Sequence, residues 1–461
     1  NANLLDLIRR VKCFGISLVK LDIRQESSRH TKLLIEIIKK SYKKDYLKFS
    51  EIEKVNLLSS LIKQKKILIH KISIKDTENK EVWNTFIELT RQPSACLGAY
   101  IISMTSNASN ILEVYFLQKQ SKIKKLLRVV PLFEKLEDLK NAKKVMENLF
   151  KLPWYRKLIN NKQEVMIGYS DSSKDAGKLS ASWYQFKMQE ELRDLAIKYK
   201  VQLTFFHGRG GSPGRGGGPI QATMKSLPSR TVDGRIRITD QGEVVQQKYG
   251  YKPLAEYNLC SYIGAAMEAT LSPPPKPKKN WRDLIEKMSD ISTLAYRKNI
   301  NQSEDFVRYF KTVTPHQPLN KLSIGSRPSK RKNVDNIQSL RAIPWVFAWT
   351  QIRLMLPAWL GTTEALRYAS IKKFSKTLYD MEKNWAFFNS TMDILDMVIS
   401  KVDTEISIIY ENNLADESLK RIGKRLRFQF DTLVKLHNRI TPKEIVIERK
   451  KFRKTLFVRN N

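Results

Sequence analysis

Val165-Met166-Ile167-Gly168-Tyr169-Ser170-Asp171-Ser172-Ser173-Lys174-Asp175-Ala176-Gly177 begins as an apolar strand and ends by opening a helix. Between the two lies a cluster of hydroxyls, two carboxylates and a lysine. The same order recurs on both sides of it. Short apolar or β-branched segments stand at 18–23, 99–104, 128–132, 165–169, 202–206 and 235–239. Each is followed within two residues by a polar or charged one, namely Arg24, Thr105, Glu134, Asp171, His207 and Asp240. Amphipathic helical patterns fill the gaps, as at 30–42, 108–120, 135–150 and 178–199. Strand and helix in alternation imply a parallel sheet or barrel.

The expected fold class is therefore a TIM-like α/β barrel, rich in helix, with a large and mostly α-helical carboxyl-terminal region. Functional side chains of a barrel collect at the carboxyl ends of its strands. Arg24, Glu134, Asp171, His207 and Arg209 all fall there in this reading. Six strands are visible where a closed barrel takes about eight. After Ser272-Pro273-Pro274-Pro275-Lys276-Pro277-Lys278-Lys279, a turn or linker, the patterns are almost wholly helical, as at 281–297 and 381–412. The expected division is 1–270, part of a (β/α)8-type catalytic barrel with helical insertions, and 271–461, a mainly helical region. The chain starts at Asn1 and stops at Asn461 without an obvious terminal element, so it is expected to be part of something longer.

Composition narrows the class. Hydrophobic residues are 41% of the chain, with 8 Trp, 17 Tyr and 19 Phe, which excludes disorder of the chain as a whole. Lys and Arg number 83 against 46 Asp and Glu, a net charge of +37. That excess invites a nucleic-acid reading, motivated by Lys330-Arg331-Lys332 and 449–454. Apart from Phe452, these clusters lack the interleaved aromatics that stack on bases, and the lysines are spread along the whole chain. Neither nucleic acid nor membrane is an expected partner. The most apolar long stretch, 343–361, contains Pro344, Arg353 and Pro357 and reads as buried protein structure. Cys13, Cys96 and Cys260 are far apart, with no metal-type spacing, and point to a reducing compartment such as the cytoplasm.

The most unusual stretch is Phe206-His207-Gly208-Arg209-Gly210-Gly211-Ser212-Pro213-Gly214-Arg215-Gly216-Gly217-Gly218-Pro219, with seven glycines between Gly208 and Gly218. Glycine loses the most backbone entropy on ordering, so this is neither a stable helix nor a strand. It reads as a loop whose amides and two arginines close on an anion. No Gly-Lys-Ser/Thr ends it, which excludes a Walker loop. In Val165–Gly177, helix capping by Ser172 or Asp175 accounts for one polar residue but not for all of them. Glu134 taken alone also reads as a solvated rim residue. Two carboxylates at strand ends suit Mg²⁺, which takes one or two protein carboxylates and leaves the rest to water and phosphate. Arg24, Arg327 and Arg341 are further candidates, because an arginine fork binds phosphate or carboxylate through two hydrogen bonds.

On Val165–Gly177 and Phe206–Pro219, supported by 21–27, 130–134, 340–361 and the neighbourhood of Arg327, the chain resembles the phosphoenolpyruvate carboxylases from end to end. Pro213 departs from the family's usual aliphatic residue. The family's Thr-Ala-His-Pro-Thr motif, with its essential histidine, does not occur here, so this segment alone is expected to be inactive. The resemblance implies a lyase that joins phosphoenolpyruvate and bicarbonate into oxaloacetate and phosphate, through carboxyphosphate and an enolate. The implied metal is Mg²⁺ or Mn²⁺ on Glu134 and Asp171. Catalytic roles fall on Lys174, His207, Arg209 and Arg215, and substrate binding on Arg24, Arg209, Arg327 and Arg341. Inhibition by aspartate or malate is implied at Arg215, Lys401 and Arg459, and a homotetramer is the implied assembly. The competing readings are a basic nucleic-acid-binding protein and another Mg-dependent barrel enzyme acting on a phosphorylated enol.

Overall fold

The alternation is realised as six strands. In the computed structural model, β1 (Leu21–Glu26), β2 (Leu97–Ser103), β3 (Val129–Phe133), β4 (Lys162–Gly168), β5 (Gln202–Gly208) and β6 (Arg237–Ile238) form one sheet whose order follows the chain. The structure describes residues 2–15, 19–64, 73–209, 220–240, 242–301, 304–321, 340, 342–371 and 373–441. Neighbouring strands run parallel at β1–β2, β2–β3, β3–β4 and β5–β6. Every residue of β2 and β3 is buried, as happens when helices cover both faces of a parallel sheet. Among the described residues the sheet has six strands, and the eight of a closed barrel are not all present.

The chain divides into two compact units, residues 1–167 with 194–205, and residues 168–193 with 206–461. In the first, helix Ala108–Gln120 is buried nearly all round, so its apolar residues show no single stripe. A flat sheet would separate β1 from β4 by about 14 Å, three strand spacings. Yet Arg24 on β1 comes within 3.3 Å of the Met166 sulfur on β4, so the sheet curves there. In the second unit, aromatic packing dominates. Trp345 and Trp349 are fully buried against Phe306 and Phe310, and Trp183, Phe186, Trp281, Trp385 and Phe387 form another cluster. The apolar stretch 343–361 is thus core. Among the described residues no helix is long and apolar enough to cross a membrane.

Several expected elements shift. β1 begins at Leu21, with the expected start at Leu18 lying outside the described residues, and runs on through Arg24, Gln25 and Glu26, which pair with Ile101, Ile102 and Ser103. Backbone pairing carries it past the point where its apolar residues stop. Arg24 therefore lies inside the strand and not beyond its end. Residues 235–239 shrink to the two of β6. The single helical stretch at 381–412 is three helices, Ser375–Asn384, Ala386–Ile399 and Thr404–Leu414. One break falls at Trp385, whose backbone is extended while its ring joins the aromatic cluster. The other is set by Asp403, whose carboxylate accepts from the amides of Glu405 and Ile406. The Pro-rich connection holds its place between helices Lys252–Leu271 and Lys279–Asn301.

Candidate active site

Two chain segments of the second unit meet at one cluster. The first is the end of β4 with helix Ser170–Ala176, and the second is the end of β5 with the residue after it. Asp171 is the second residue of that helix, three positions past the end of β4, where a residue directly at the strand end was expected. No side chain caps the helix. Ser172 and Ser173 are buried and turn back instead, Ser172 donating to the carbonyls of Gly168 and Tyr169 at 2.7 and 3.0 Å, and Ser173 to that of Tyr169 at 2.9 Å. Hydroxyls used this way fasten the strand-to-helix turn. Gly177 ends the helix at φ +81°, where a Cβ would crowd the Tyr296 ring and the Leu360 carbonyl at 3.2 and 3.3 Å.

His207, on β5, is 1% exposed, and its Nδ1 lies 2.9 Å from the Tyr169 hydroxyl. Burial, and then the charge of Arg209, lower its pKa to about 3, so the ring is neutral at ordinary pH. Arg209 directly follows β5 and is itself buried. Burial pushes its pKa down, while the field of Tyr169, Tyr262 and Asp240 partly restores it. Asp240 is held by Lys248 and by the Tyr249 hydroxyl, the latter at 2.7 Å. A guanidinium kept out of water is a candidate seat for an anion, which its paired donors can hold.

Lys174 donates to the carbonyl oxygen of Leu340, 166 positions away in the chain, and its own carbonyl accepts from Tyr296 at 2.8 Å. Asp175 pairs with Arg297 at 3.2 Å. These links fasten the site helix to the helical region and to the residue preceding Arg341. Arg341, Arg327, Arg215 and Arg459 all lie outside the described residues, as do Gly210–Pro219 and the basic clusters at 330–332 and 449–454. Lys401 is described: its carbonyl accepts from Arg353 Nε at 3.2 Å.

In the first unit, Glu134 follows β3 directly and is 3% exposed, so it is not a solvated rim residue. Its Oε2 accepts from the Met104 amide at 2.9 Å, at a backbone position with φ +57°. The carboxylate is thereby held beside the loop after β2. Among the described residues no group of three or more His, Cys, Asp or Glu side chains is gathered as a metal cage. Glu134 and Asp171 fit a hard ion in donor chemistry alone, since both are carboxylates and Mg²⁺ takes oxygen ligands and needs few from the protein.

Sequence reading passed over Tyr169, Tyr262 and Lys178. Tyr169 was findable, as a phenol inside the quoted motif two residues before Asp171. Nothing local marks Tyr262 or Lys178.

Comparisons with known proteins give the family. The family described as phosphoenolpyruvate carboxylase matches residues 1–461. A phosphoenolpyruvate carboxylase of Acinetobacter baylyi is 48% identical over 442 residues, 94% of this chain and 49% of the relative. One from Hahella chejuensis is 44% identical over 461 residues, 100% of this chain and 52% of the relative. One from Histophilus somni is 46% identical over 435 residues, 94% of this chain and 50% of the relative. The chain spans about half the length of the curated relatives it matches. With the match extending from its first residue to its last, the chain belongs to the phosphoenolpyruvate carboxylase family.

Proposed function

We propose that these residues supply the anion-binding and carboxylation part of an enzyme that converts phosphoenolpyruvate and bicarbonate into oxaloacetate and phosphate. The observation that carries the reading is the buried Tyr169–His207–Arg209 cluster beside helix Ser170–Ala176, in a chain of this family. Residues 1–270 would contribute to a (β/α)8 barrel and 271–461 to the helical region that completes the site.

In this reading a bicarbonate oxygen attacks phosphorus and the enolate of pyruvate leaves. Carboxyphosphate then releases CO₂, whose carbon the enolate attacks. Arg209, with Arg24, Arg327 and Arg341, holds the phosphoryl and carboxylate groups of the substrate by paired hydrogen bonds. His207, neutral because it is buried, orients bicarbonate by hydrogen bonding; it carries no proton to donate as an acid near pH 7. Lys174 contributes a point charge on the anion side of the site helix. Arg215 closes over the reacting carbon and keeps water from the enolate. Glu134 and Asp171 would hold Mg²⁺ or Mn²⁺, which when bound supplies positive charge opposite the developing enolate and phosphate oxygens. Aspartate or malate acting through Arg215, Lys401 and Arg459, a homotetramer and a cytoplasmic setting complete the proposal.

The test is bicarbonate-dependent oxaloacetate formation by the protein that carries this chain, followed by coupled reduction to malate. Labelled bicarbonate should appear in the product. Arg209→Lys should lower kcat/KM at least a hundredfold, because the fork is lost while the charge stays. A protein that leaves phosphoenolpyruvate intact in the presence of bicarbonate and Mg²⁺ overturns the reading.

A further inference from the structure

Helix Lys178–Lys198 begins with a buried lysine. Lys178 is 7% exposed, and among the described residues no hydrogen bond or ion pair reaches its ammonium. It lines a cavity whose other walls include Met288, Thr362, Leu366, Phe388, Thr391 and Met392. The charge nearest in effect is Arg209, another cation. A buried ammonium with no counter-charge among the described residues is costly, and such a group tends to shed its proton. Burial first, and then Arg209, bring its pKa down to about 8. About a tenth of the amine is then neutral at pH 7, against less than about a thousandth for an ordinary lysine.

We propose that Lys178 is a carbamylation site, at which the side-chain nitrogen reversibly adds dissolved CO₂. The nitrogen lone pair attacks the carbon of CO₂ and a C–N bond forms. One C–O π bond breaks, its electron pair stays on oxygen as a carboxylate, and the nitrogen releases one proton to solvent. One amine and one CO₂ give one carbamate and one proton, with no oxidant or reductant. The apolar walls admit an uncharged, linear molecule more readily than an ion, and Thr362 contributes a hydroxyl to the lining, whereas that of Thr391 already donates to the Phe387 carbonyl at 2.8 Å. The electrostatic gain is a change of sign. Two cations that repel become a carboxylate in the field of Arg209, so the modification relieves the repulsion that burial makes severe. This inference stands apart from the proposed carboxylation, because dissolved CO₂ alone is the reagent.

Carbon NMR of the intact protein equilibrated with ¹³C-bicarbonate and CO₂ tests it. A carbamate resonance separate from bicarbonate and CO₂ is expected, to be lost in Lys178→Arg and in Lys178→Met and weakened severalfold in Arg209→Lys. The same wild-type sample, alkylated to trap the carboxylate and digested, should carry the label on the Lys178 peptide and far less on exposed Lys198. This second measurement decides the matter even where the variants fail to fold. Absence of a protein carbamate resonance, its persistence in Lys178→Arg, or equal labelling of the Lys178 and Lys198 peptides would overturn the proposal.

Discussion

The hydroxyl of Tyr169, at the end of one segment, and Nδ1 of His207, 38 positions later, are 2.9 Å apart and both buried. The pair ties the strand-to-helix turn of the site to β5, next to Arg209. It also fixes which nitrogen of the ring is engaged, and so what the other nitrogen can offer.

Tyr169→Phe removes that partner and leaves a buried imidazole nitrogen unsatisfied, at a cost of about 1–3 kcal/mol. The expected outcome is a folded protein with a lower urea midpoint and reduced carboxylase kcat. Unchanged midpoint and unchanged kcat would show that the hydrogen bond matters to neither.

His30, in the first unit, is also fully buried, with Nε2 2.8 Å from the Tyr100 hydroxyl. Burial, and then Arg29, lower its pKa to about 3 from 6.5. The unfolded chain takes up a proton below about 6.5 while the folded ring stays neutral, so the unfolded state binds more protons. Stability is full above that pH and falls as pH drops toward 3, by up to about 1.4 kcal/mol per pH unit for each such histidine. His30→Gln should flatten the stability-against-pH curve between pH 6 and 4 by roughly one proton. A curve as steep as wild type would count against it.

Glu113 behaves in the opposite sense. Burial raises its pKa to about 7, against the hydrogen bonds from Thr31 at 2.8 Å and Tyr46 at 3.0 Å. The folded carboxyl keeps its proton where the unfolded one has lost it, so this stability is present below about 4.5 and is lost as pH rises through about 7. Glu113→Gln should gain on wild type between pH 5 and 8, with a ceiling on the order of 3 kcal/mol. Denaturant midpoints at the two pH values measure the gain, and a constant difference between the proteins would refute it.

Gly361 sits at φ +86° with the Ser292 carbonyl 2.5 Å from where a Cβ would be, whereas the tightest approach at Gly177 is 3.2 Å. Both positions are strained for any other residue. Gly361→Ala meets rigid backbone as well, so it should destabilise by more than Gly177→Ala, with both losses on the order of 1–4 kcal/mol. Thermal unfolding of the two variants gives the order directly, and the reverse order would contradict the packing argument.

Arg215→Ala in the intact enzyme should separate the half-reactions. Phosphoenolpyruvate is still cleaved in the presence of bicarbonate, pyruvate rises relative to oxaloacetate, and aspartate inhibition weakens. A ratio equal to wild type with lower total turnover assigns Arg215 to binding or phosphoryl transfer and removes its role in excluding water.

The sequence by itself determined the alternation of strand and helix, the burial of 343–361, the Pro-rich connection and the family, because each is written locally. Periodicity sets which face of an element is apolar, and a motif of thirteen residues carries its own chemistry. It could not set where pairing would stop, so β1 ran past Ile23 and took Arg24 into the strand. Nor could it tell that Asp403 and Trp385 would cut one helical pattern into three. Only the tertiary structure decided that Glu134 is buried on the Met104 amide, that Lys174 reaches Leu340 across 166 positions, and that Lys178 is buried with no counter-charge among the described residues. Desolvation and hydrogen bonding depend on neighbours supplied by distant parts of the chain, and no local pattern of residues encodes which neighbours those will be.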